Sequence, residues 1–267
     1  VHWQLWAETM RTRLPARPLG SRTAIERIPV VSHRRKRRVL IMCAASFAVY
    51  AFFNLLAMLL YPGGTSSDKD VKGYLFFENF FSDLGMVRTY NGQPKAFSLF
   101  LFASALVLMG IAFIFFFVLM PSYFATTRPE RTLSRVGSIA GVLAGVSCIG
   151  IAATPWDLFP SAHLIFAYSL SASFLLSVVF YLVAVLANRR YPNTYAGVFA
   201  VYTIILGAYL GLMLLGPDIG TKEGLMILAT GQKMVIYLGM ICWFVQFLGA
   251  FEYHKRHSQW RPRRQTV

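Results

Sequence analysis

The amino-acid sequence predicts an all-α, polytopic membrane protein: a six-transmembrane-helix bundle with a long outer loop that carries a short interfacial helix. Hydrophobic residues make up 56% of the 267 residues and charged residues only 14%, whereas about a quarter of an ordinary soluble domain is charged. The mean hydropathy is +0.53, and the net charge of +15 has to lie outside the apolar segments. Long apolar segments with basic residues outside them are typical of multi-pass membrane proteins.

Six apolar stretches define the predicted helices, and each is long enough to cross about 30 Å of hydrocarbon. They cover residues 39–61, 96–120, 134–154, 161–188, 195–215 and 225–250. Pro94, Pro121 and Pro155 lie at the ends of these stretches, where proline interrupts the helix. The predicted organisation is a basic cytoplasmic N-terminal arm (1–38), a six-helix transmembrane domain (39–250) and a basic cytoplasmic C-terminal tail (251–267).

The distribution of Lys and Arg predicts the orientation. The two terminal segments and the two connections on the same side hold 20 of these residues, whereas the other three connections hold five. Because cytoplasmic loops are enriched in Lys and Arg, we expect both termini in the cytoplasm. The arm ends in five consecutive basic residues, which we expect to contact anionic lipid headgroups rather than nucleic acid. These residues are Arg34, Arg35, Lys36, Arg37 and Arg38.

Rows of small residues predict where the helices pack closely, because they let helix backbones approach one another in lipid. Gly137, Gly141 and Gly145 recur every four residues on the third stretch, and Gly207 and Gly211 repeat that spacing on the fifth. A small and polar stripe on the fourth stretch is predicted to face the interior of the bundle. It consists of His163, Ala167, Ser171 and Ser177.

Polar and ionisable residues at membrane depth are functional candidates, because they are costly there. Lys233 lies roughly 12 Å below the outer end of the sixth stretch at helical rise, and we expect it to pair with Asp83, Glu78 or Asp157. The candidates form a predicted polar cluster near the outer surface: Asn54, Glu78, Asn79, Ser82, Asp83, Asp157, His163 and Lys233. Two interpretations of this cluster stand side by side, a structural ion-pair network and a pocket for a lipid headgroup or another small ligand.

The first outer loop, residues 62–95, is the longest connection and mixes aromatic with acidic residues. A short helix is predicted within it, because four apolar residues recur on one helical face. These residues are Tyr74, Phe77, Phe81 and Leu84. Gly85 is expected to end that helix, and Asn91-Gly92 is expected to form a turn.

Cofactor and metal sites find little support in the sequence. Cys43, Cys148 and Cys242 all lie in apolar stretches, which argues against disulfides and cysteine zinc sites. His163 is the one histidine within a predicted stretch, which argues against a site that needs several histidine ligands. No metal site, catalytic residue or cofactor is therefore predicted. The alternative for His163 is a single axial ligand to a pigment or a haem.

One loop motif carries a resemblance to a known family. The segment Asn79-Phe80-Phe81-Ser82-Asp83-Leu84-Gly85 comes after a first span that ends in Tyr61-Pro62-Gly63-Gly64. With the glycine-rich third span and His163 in the fourth, it resembles prokaryotic six-helix membrane proteins of unknown function, distantly like the DRAM (damage-regulated autophagy modulator) group. The resemblance covers about residues 39–250. It implies the six-helix fold, a location in a prokaryotic cytoplasmic (inner) membrane and non-enzymatic roles in membrane or lipid homeostasis. It implies no catalytic residues.

Three functions are compatible with these features. The main hypothesis is a non-catalytic integral membrane protein with an outer-facing polar pocket that binds or senses a lipid-like ligand. The second is an accessory subunit of a larger bioenergetic or photosynthetic membrane complex, docked on other membrane subunits through the arm, which holds ten Lys and Arg residues. The third is a lipid-modifying enzyme in which Asp83, Asp157 and His163 act as acid and base groups.

Overall fold

The computed structural model describes residues 33–188 and 191–258. The described residues form six α-helices, all long and apolar enough to cross a membrane, which confirms the predicted fold class. These helices are α1 (His33–Leu59), α2 (Ala96–Leu119), α3 (Arg128–Ala153), α4 (Pro160–Ala187), α5 (Thr194–Leu215) and α6 (Lys222–Ser258). The predicted arm up to residue 32 and the tail from residue 259 lie outside the described residues.

Three helices extend beyond the apolar stretches that predicted them. Helix α1 begins at His33, α3 begins at Arg128 and α6 continues to Ser258. Hydropathy detects only the part of a helix that lies in hydrocarbon, whereas basic residues continue the helix into the headgroup region. The start of α3 is fixed locally, because Thr127 Oγ1 accepts a hydrogen bond of 3.4 Å from the Glu130 backbone N–H.

The six helices form a closed ring. Each helix packs on the next along the chain, and α6 packs on both α5 and α1. The connection between α1 and α2, residues 60–95, is here called the cap loop, and the end of the bundle that carries it is called the cap end. The loops after α3 and α5 lie at the same end, because successive helices run in opposite directions.

Glycines bring α2 and α3 into close contact, as the sequence predicts for the third span. A Cβ atom added at Gly145 would lie 2.8 Å from the carbonyl oxygen of Gly110, and one at Gly141 would lie 2.2 Å from the Phe117 ring. The prediction is wrong for Gly207 and Gly211 on α5, where an added Cβ would meet no atom within 4 Å. The spacing of small residues identifies a helix face, but it does not identify whether that face meets another helix.

A cluster of aromatic rings fills the bundle at the end opposite the cap loop. Trp243 of α6, which is 2% exposed, lies at the centre of this aromatic plug. Five phenylalanine rings from three helices surround it, with centroids 5.1 to 5.9 Å away; they are Phe113, Phe116, Phe117, Phe174 and Phe199. Most of these pairs meet edge to face, the favoured arrangement of aromatic rings.

The cap loop contains one turn of 3₁₀ helix, Phe81–Gly85, instead of the predicted helix with four apolar residues on one face. The side chain of Asp83 explains the short length, because its carboxylate accepts a 2.9 Å hydrogen bond from the Phe80 backbone N–H. A side chain that binds nearby backbone in this way competes with a continuous helix. The turn does end at Gly85, but Gly85 has no positive φ and so does not end it in the left-handed conformation. A Cβ atom added at Gly85 would lie 2.6 Å from the Phe102 ring.

The predicted turn at Asn91-Gly92 is confirmed. Gly92 has φ of 83°, a backbone conformation that favours glycine. Its N–H donates to the Thr89 carbonyl at 2.8 Å. This turn lets the cap loop double back before α2 begins at Ala96.

Candidate functional site

A cavity of ≈ 160 Å³ lies inside the helix ring, between the cap loop and the aromatic plug. All six helices contribute to its wall, and Phe81 and Ser82 of the cap loop also line it. Among the predicted candidates, Ser82 and His163 therefore belong to one site. The cavity is the strongest candidate for a ligand site, because such sites are concave, largely apolar and supplied with few polar groups.

The cavity is long and narrow. Its lining residues on α6 recur at helical spacing from Gln232 to Trp243, which corresponds to about 16 Å along the helix axis. Stripes of the same length occur on α2 from Phe102 to Phe113 and on α5 from Tyr202 to Met213. A small volume spread over that length favours a slender ligand.

The cap loop closes one end of the cavity and is bound to α6 at two consecutive residues. Phe81 N–H donates to Gln232 Oε1 at 2.7 Å. Lys233 Nζ donates to the carbonyl oxygen of Asn79 and, at 3.2 Å, to that of Ala229. The cap loop is therefore held in place by a half-buried amide and a buried ammonium group.

Lys233 does not form the ion pair that the sequence predicts. The described residues place no carboxylate oxygen within 4.0 Å of Lys233 Nζ, so the predicted pairing with Asp83, Glu78 or Asp157 is wrong. Three aromatic rings instead surround the ammonium group at 5.2 to 5.7 Å, namely Tyr74, Phe76 and Phe81. Backbone carbonyls and ring faces both stabilise a cation that has lost its hydration.

Asp83 and Asn79 form the core of the cap loop, and both are buried. The Asp83 carboxylate accepts three hydrogen bonds: from Asn79 Nδ2 at 3.0 Å, from Phe80 N–H at 2.9 Å and from Tyr90 Oη at 3.1 Å. Asn79 Nδ2 also donates to the Gly64 carbonyl at 3.0 Å. Burial raises the pKa of Asp83, while the hydrogen bonds from Asn79, Phe80 and Tyr90 oppose that rise.

Lys95 is a buried cation that the sequence interpretation missed. Its Nζ donates to the Leu84 carbonyl at 2.7 Å and lies 5.3 Å from the centre of the Tyr61 ring. Burial lowers the pKa of Lys95 to about 7, although the nearby carboxylates of Asp83 and Asp157 act in the opposite direction. The signal in the sequence was its position directly before the apolar stretch, where a lysine can lie under the loop.

The titration of Lys95 predicts a pH dependence. Because its pKa is about 7 in the folded protein and about 10.5 when exposed, the unfolded chain binds more protons between these values, and stability rises with pH there. We expect the thermal unfolding temperature in detergent to increase as the pH rises above about 7. Lys95→Met should flatten that increase, and an equal increase in the variant would contradict the assignment.

The other acidic candidates have structural partners. Glu78 forms an ion pair of 3.4 Å with Lys222, whose side chain is 63% exposed, and such surface pairs contribute about 0–1 kcal/mol. Asp157 accepts the backbone N–H groups of Val87 and Arg88 at 2.9 to 3.1 Å. These contacts attach the cap loop to the first residue of α6 and to the loop after α3.

His163 is oriented by a single strong hydrogen bond. Its Nδ1 lies 2.7 Å from the Thr154 carbonyl oxygen, and its ring packs edge-on against Trp156 at 5.8 Å. His163, Ala167 and Ser171 all line the cavity, as the predicted stripe on the fourth span requires. Ser177 of the same stripe instead donates to the Gly137 carbonyl of α3 at 2.8 Å.

Several residues of the cavity wall were not predicted. Gln232 precedes Lys233 and is an uncharged polar residue in a membrane helix, which was a usable signal. Tyr50, Tyr202 and Tyr209 also line the cavity. Tyrosines in apolar helices are common, so the sequence alone does not separate those that line a cavity from those that face lipid.

Two groups of predicted residues lie away from the cavity. Asn54 is buried on α1, where its Nδ2 donates to the Tyr50 carbonyl at 2.8 Å. The basic run occupies the first turns of α1, at the end opposite the cap loop. Four of its members, Arg34, Arg35, Arg37 and Arg38, are exposed. Lys36 Nζ lies 4.5 Å from the centre of the Tyr123 ring.

Comparison with known proteins adds no relative to this description. No family model, curated protein or solved structure matches the chain. The resemblance to a six-helix family therefore stays a prediction. Within the described part of the chain, no group of three His, Cys, Asp or Glu side chains is arranged to hold a metal ion. The cavity and the cap loop that closes it are therefore the features that bear on the function.

Proposed function

We propose that this protein is a non-catalytic membrane protein that binds a slender, lipid-like molecule in the cavity beneath the cap loop. The observation that carries the proposal is the cavity itself, which is walled by all six helices and closed at one end by Phe81 and Ser82. Its apolar stripes suit a hydrocarbon chain, and its few polar groups suit a small head.

The contacts of Asp83, Asp157 and His163 support a binding role over a catalytic one. Asp83 and Asp157 accept hydrogen bonds from backbone N–H groups and are absent from the cavity wall. The hydrogen-bond partner of His163 is the Thr154 carbonyl rather than a carboxylate. A lipid-modifying mechanism with these three residues would need His163 and a carboxylate to meet beside the substrate.

The orientation of the site follows from the distribution of basic residues. Twenty Lys and Arg residues lie in the terminal segments and in the connections at the end opposite the cap loop, against five in the cap-end connections. In agreement with the positive-inside rule, we propose that the cap loop lies on the outer face of the membrane, which the resemblance implies is a prokaryotic inner membrane. The cavity would receive its ligand from the outer leaflet or from the outer aqueous side.

The alternative function, an accessory subunit of a larger membrane complex, depends on the basic N-terminal arm. Most of the arm, up to residue 32, lies outside the described residues, so that function stays a second hypothesis from the sequence. The exposed Arg34, Arg35, Arg37 and Arg38 fit an anionic lipid surface equally well.

A pair of variants on one helix tests ligand binding. Ala167 lines the cavity, whereas Ala172 on the same helix is exposed on the outside of the bundle. In Ala167→Phe, the new ring and an uncharged, photoreactive dodecyl probe would have to share the cavity. Overpacking of this kind costs ~1–3 kcal/mol, so the probe should label the cavity-lining residues about tenfold less or weaker still. Labelled peptides would be identified by mass spectrometry of the protein in nanodiscs.

Ala172→Phe is the matched control and should label as the unmodified protein does, because its new ring points to lipid. Native mass spectrometry of the purified protein should also detect a co-purifying lipid that Ala167→Phe loses. Equal labelling of both variants, or labelling confined to the lipid-facing surface, would refute the cavity as the binding site.

A further inference from the structure

We infer that the cavity selects an uncharged lipid with a hydroxyl group, which donates a hydrogen bond to Nε2 of His163. The inference rests on the proposed function, since it names the class of molecule that the same cavity binds. It is carried by the protonation pattern of one side chain and by the chemistry of the cavity wall.

The protonation of His163 follows from its partner. The Thr154 carbonyl oxygen can only accept a hydrogen bond, so His163 Nδ1, at 2.7 Å, carries the proton. A second proton on Nε2 would leave a cation in an apolar cavity, which is costly without a counter-charge. The ring is therefore neutral, and Nε2 is a hydrogen-bond acceptor.

Among the described residues, this acceptor has no hydrogen-bond partner. The hydrogen bonds of His163 to the described residues are satisfied at Nδ1 alone, and the side chain is one of those that line the cavity. His163 is 5% exposed, and a ligand in the cavity that brings a donor to Nε2 gains a hydrogen bond there. The ligand group that fits is a hydroxyl.

The same wall excludes charged headgroups. Among the described residues that line the cavity, none is Asp, Glu, Lys or Arg. The buried ammonium groups of Lys95 and Lys233 are bound to backbone carbonyls of the cap loop instead. A carboxylate, phosphate or ammonium head inside the cavity would therefore lose its hydration without gaining an opposite charge.

A second polar group of the wall complements a hydroxyl. Gln232 Oε1 accepts from Phe81 N–H at 2.7 Å, which leaves the amide NH₂ of Gln232 as a donor. The wall also carries the hydroxyl groups of Ser82, Ser171, Tyr50, Tyr202 and Tyr209. A hydroxyl group of the ligand both donates and accepts, so it can donate to His163 Nε2 and accept from Gln232 or from one of these hydroxyls. An ether or an ester oxygen can only accept and would leave His163 Nε2 unpaired.

The length of the cavity sets the class of the tail. The stripe from Gln232 to Trp243 covers about 16 Å of α6 and consists of apolar residues beyond Gln232. The volume of ≈ 160 Å³ is close to that of an engineered cavity that binds benzene, so the cavity accommodates part of one alkyl or isoprenoid chain and not two chains side by side. The predicted ligand is thus a single-chain aliphatic alcohol.

Two photoreactive probes with the same chain test the inference: a dodecanol analogue and its methyl ether. In nanodiscs of the unmodified protein, unlabelled dodecanol and its methyl ether are each added to reduce labelling of the cavity by the photoreactive alcohol. Dodecanol should do so at about one tenth of the concentration that the ether needs, because it forms one additional hydrogen bond. Dodecanoate and dodecylammonium should compete less well than the alcohol. Equal competition by alcohol and ether would overturn the proposed role of His163.

His163→Asn is the matched variant. The Asn amide nitrogen replaces Nδ1 as the donor to the Thr154 carbonyl, but no group replaces Nε2 in the cavity. The variant should bind the ether as before and lose the preference for the alcohol. A retained preference for the alcohol would also overturn the inference. If this variant fails to fold, the comparison of alcohol and ether in the unmodified protein still tests the role of His163.

The outcome separates this inference from the proposed function. If both probes label the cavity equally, the cavity binds lipids but His163 does not select them. If neither probe labels the cavity in the unmodified protein, the proposed function itself fails, and this inference fails with it.

Discussion

Gly145→Ala should destabilise the bundle by about 1–3 kcal/mol, the usual cost of overpacking a tight contact. The added methyl group would lie 2.8 Å from the Gly110 carbonyl oxygen and 3.2 Å from the Ile114 backbone nitrogen. Both are main-chain atoms of α2, so the clash cannot be relieved by turning a side chain. The two helices would have to move apart and lose their packing contacts. Thermal unfolding in detergent measures the loss.

Gly211→Ala is the control with the opposite expected sign. An added Cβ at Gly211 meets no atom within 4 Å, and alanine favours a helix over glycine by up to about 1 kcal/mol. This variant should therefore unfold at the same or a slightly higher temperature. If Gly145→Ala were as stable as Gly211→Ala, close packing of α2 on α3 would be contradicted.

The glycine rows on α3 and α5 also illustrate how far the sequence predicts the fold. The six helices follow from apolar length alone, because a membrane imposes about 20 apolar residues on each span. Which helix faces meet does not follow, since Gly141 and Gly211 belong to rows with the same spacing but only Gly141 contacts another helix. That difference depends on neighbours that are distant in the chain.

The sequence predicted some residues of the candidate site but not their hydrogen-bond partners. His163 and Lys233 attract attention because polar residues are rare at membrane depth. Their partners, however, are backbone carbonyls, those of Thr154 and Asn79. A backbone acceptor leaves no trace in the sequence, because every residue has one. An ionisable partner for Lys233 was expected for that reason, and the structure supplies a carbonyl and aromatic rings.

The cavity could not be foreseen at all. Its wall combines residues from six helices, and each stripe by itself is typical of any apolar core helix. The aromatic plug around Trp243 fills the end opposite the cap loop, whereas the wall nearer the cap loop includes the small side chain of Ala167. Packing density is a property of the assembled bundle and not of one helix.

Asp83→Ala should open the cap loop, with an expected loss of roughly 3 kcal/mol or more, because it leaves three donors without an acceptor at ~1–3 kcal/mol each. The donors are the side chain of Asn79, the backbone N–H of Phe80 and the hydroxyl of Tyr90. All three lie in the segment that covers the cavity. The Asn79 carbonyl that binds Lys233 would lose its fixed position at the same time.

Asp83→Asn is the variant that separates the hydrogen bonds from the charge. Its side-chain oxygen can still accept from Asn79 and Phe80, and its NH₂ group can donate to the Tyr90 hydroxyl, which also accepts. The cap loop should remain closed in this variant. Because burial raises the pKa of Asp83, removing the charge should cost little or nothing.

Trypsin cleavage after Lys95 measures whether the cap loop is open. Lys95 is 4% exposed in the closed loop, so the unmodified protein and Asp83→Asn should resist cleavage there, while Asp83→Ala should be cut rapidly. Lys69 and Lys72 are exposed and report the activity of the protease in all three samples. Equal protection of Lys95 in Asp83→Ala would mean that the carboxylate does not hold the lid. Equal cleavage of Asp83→Asn would mean that its charge is required, and the hydrogen-bond argument would then be wrong.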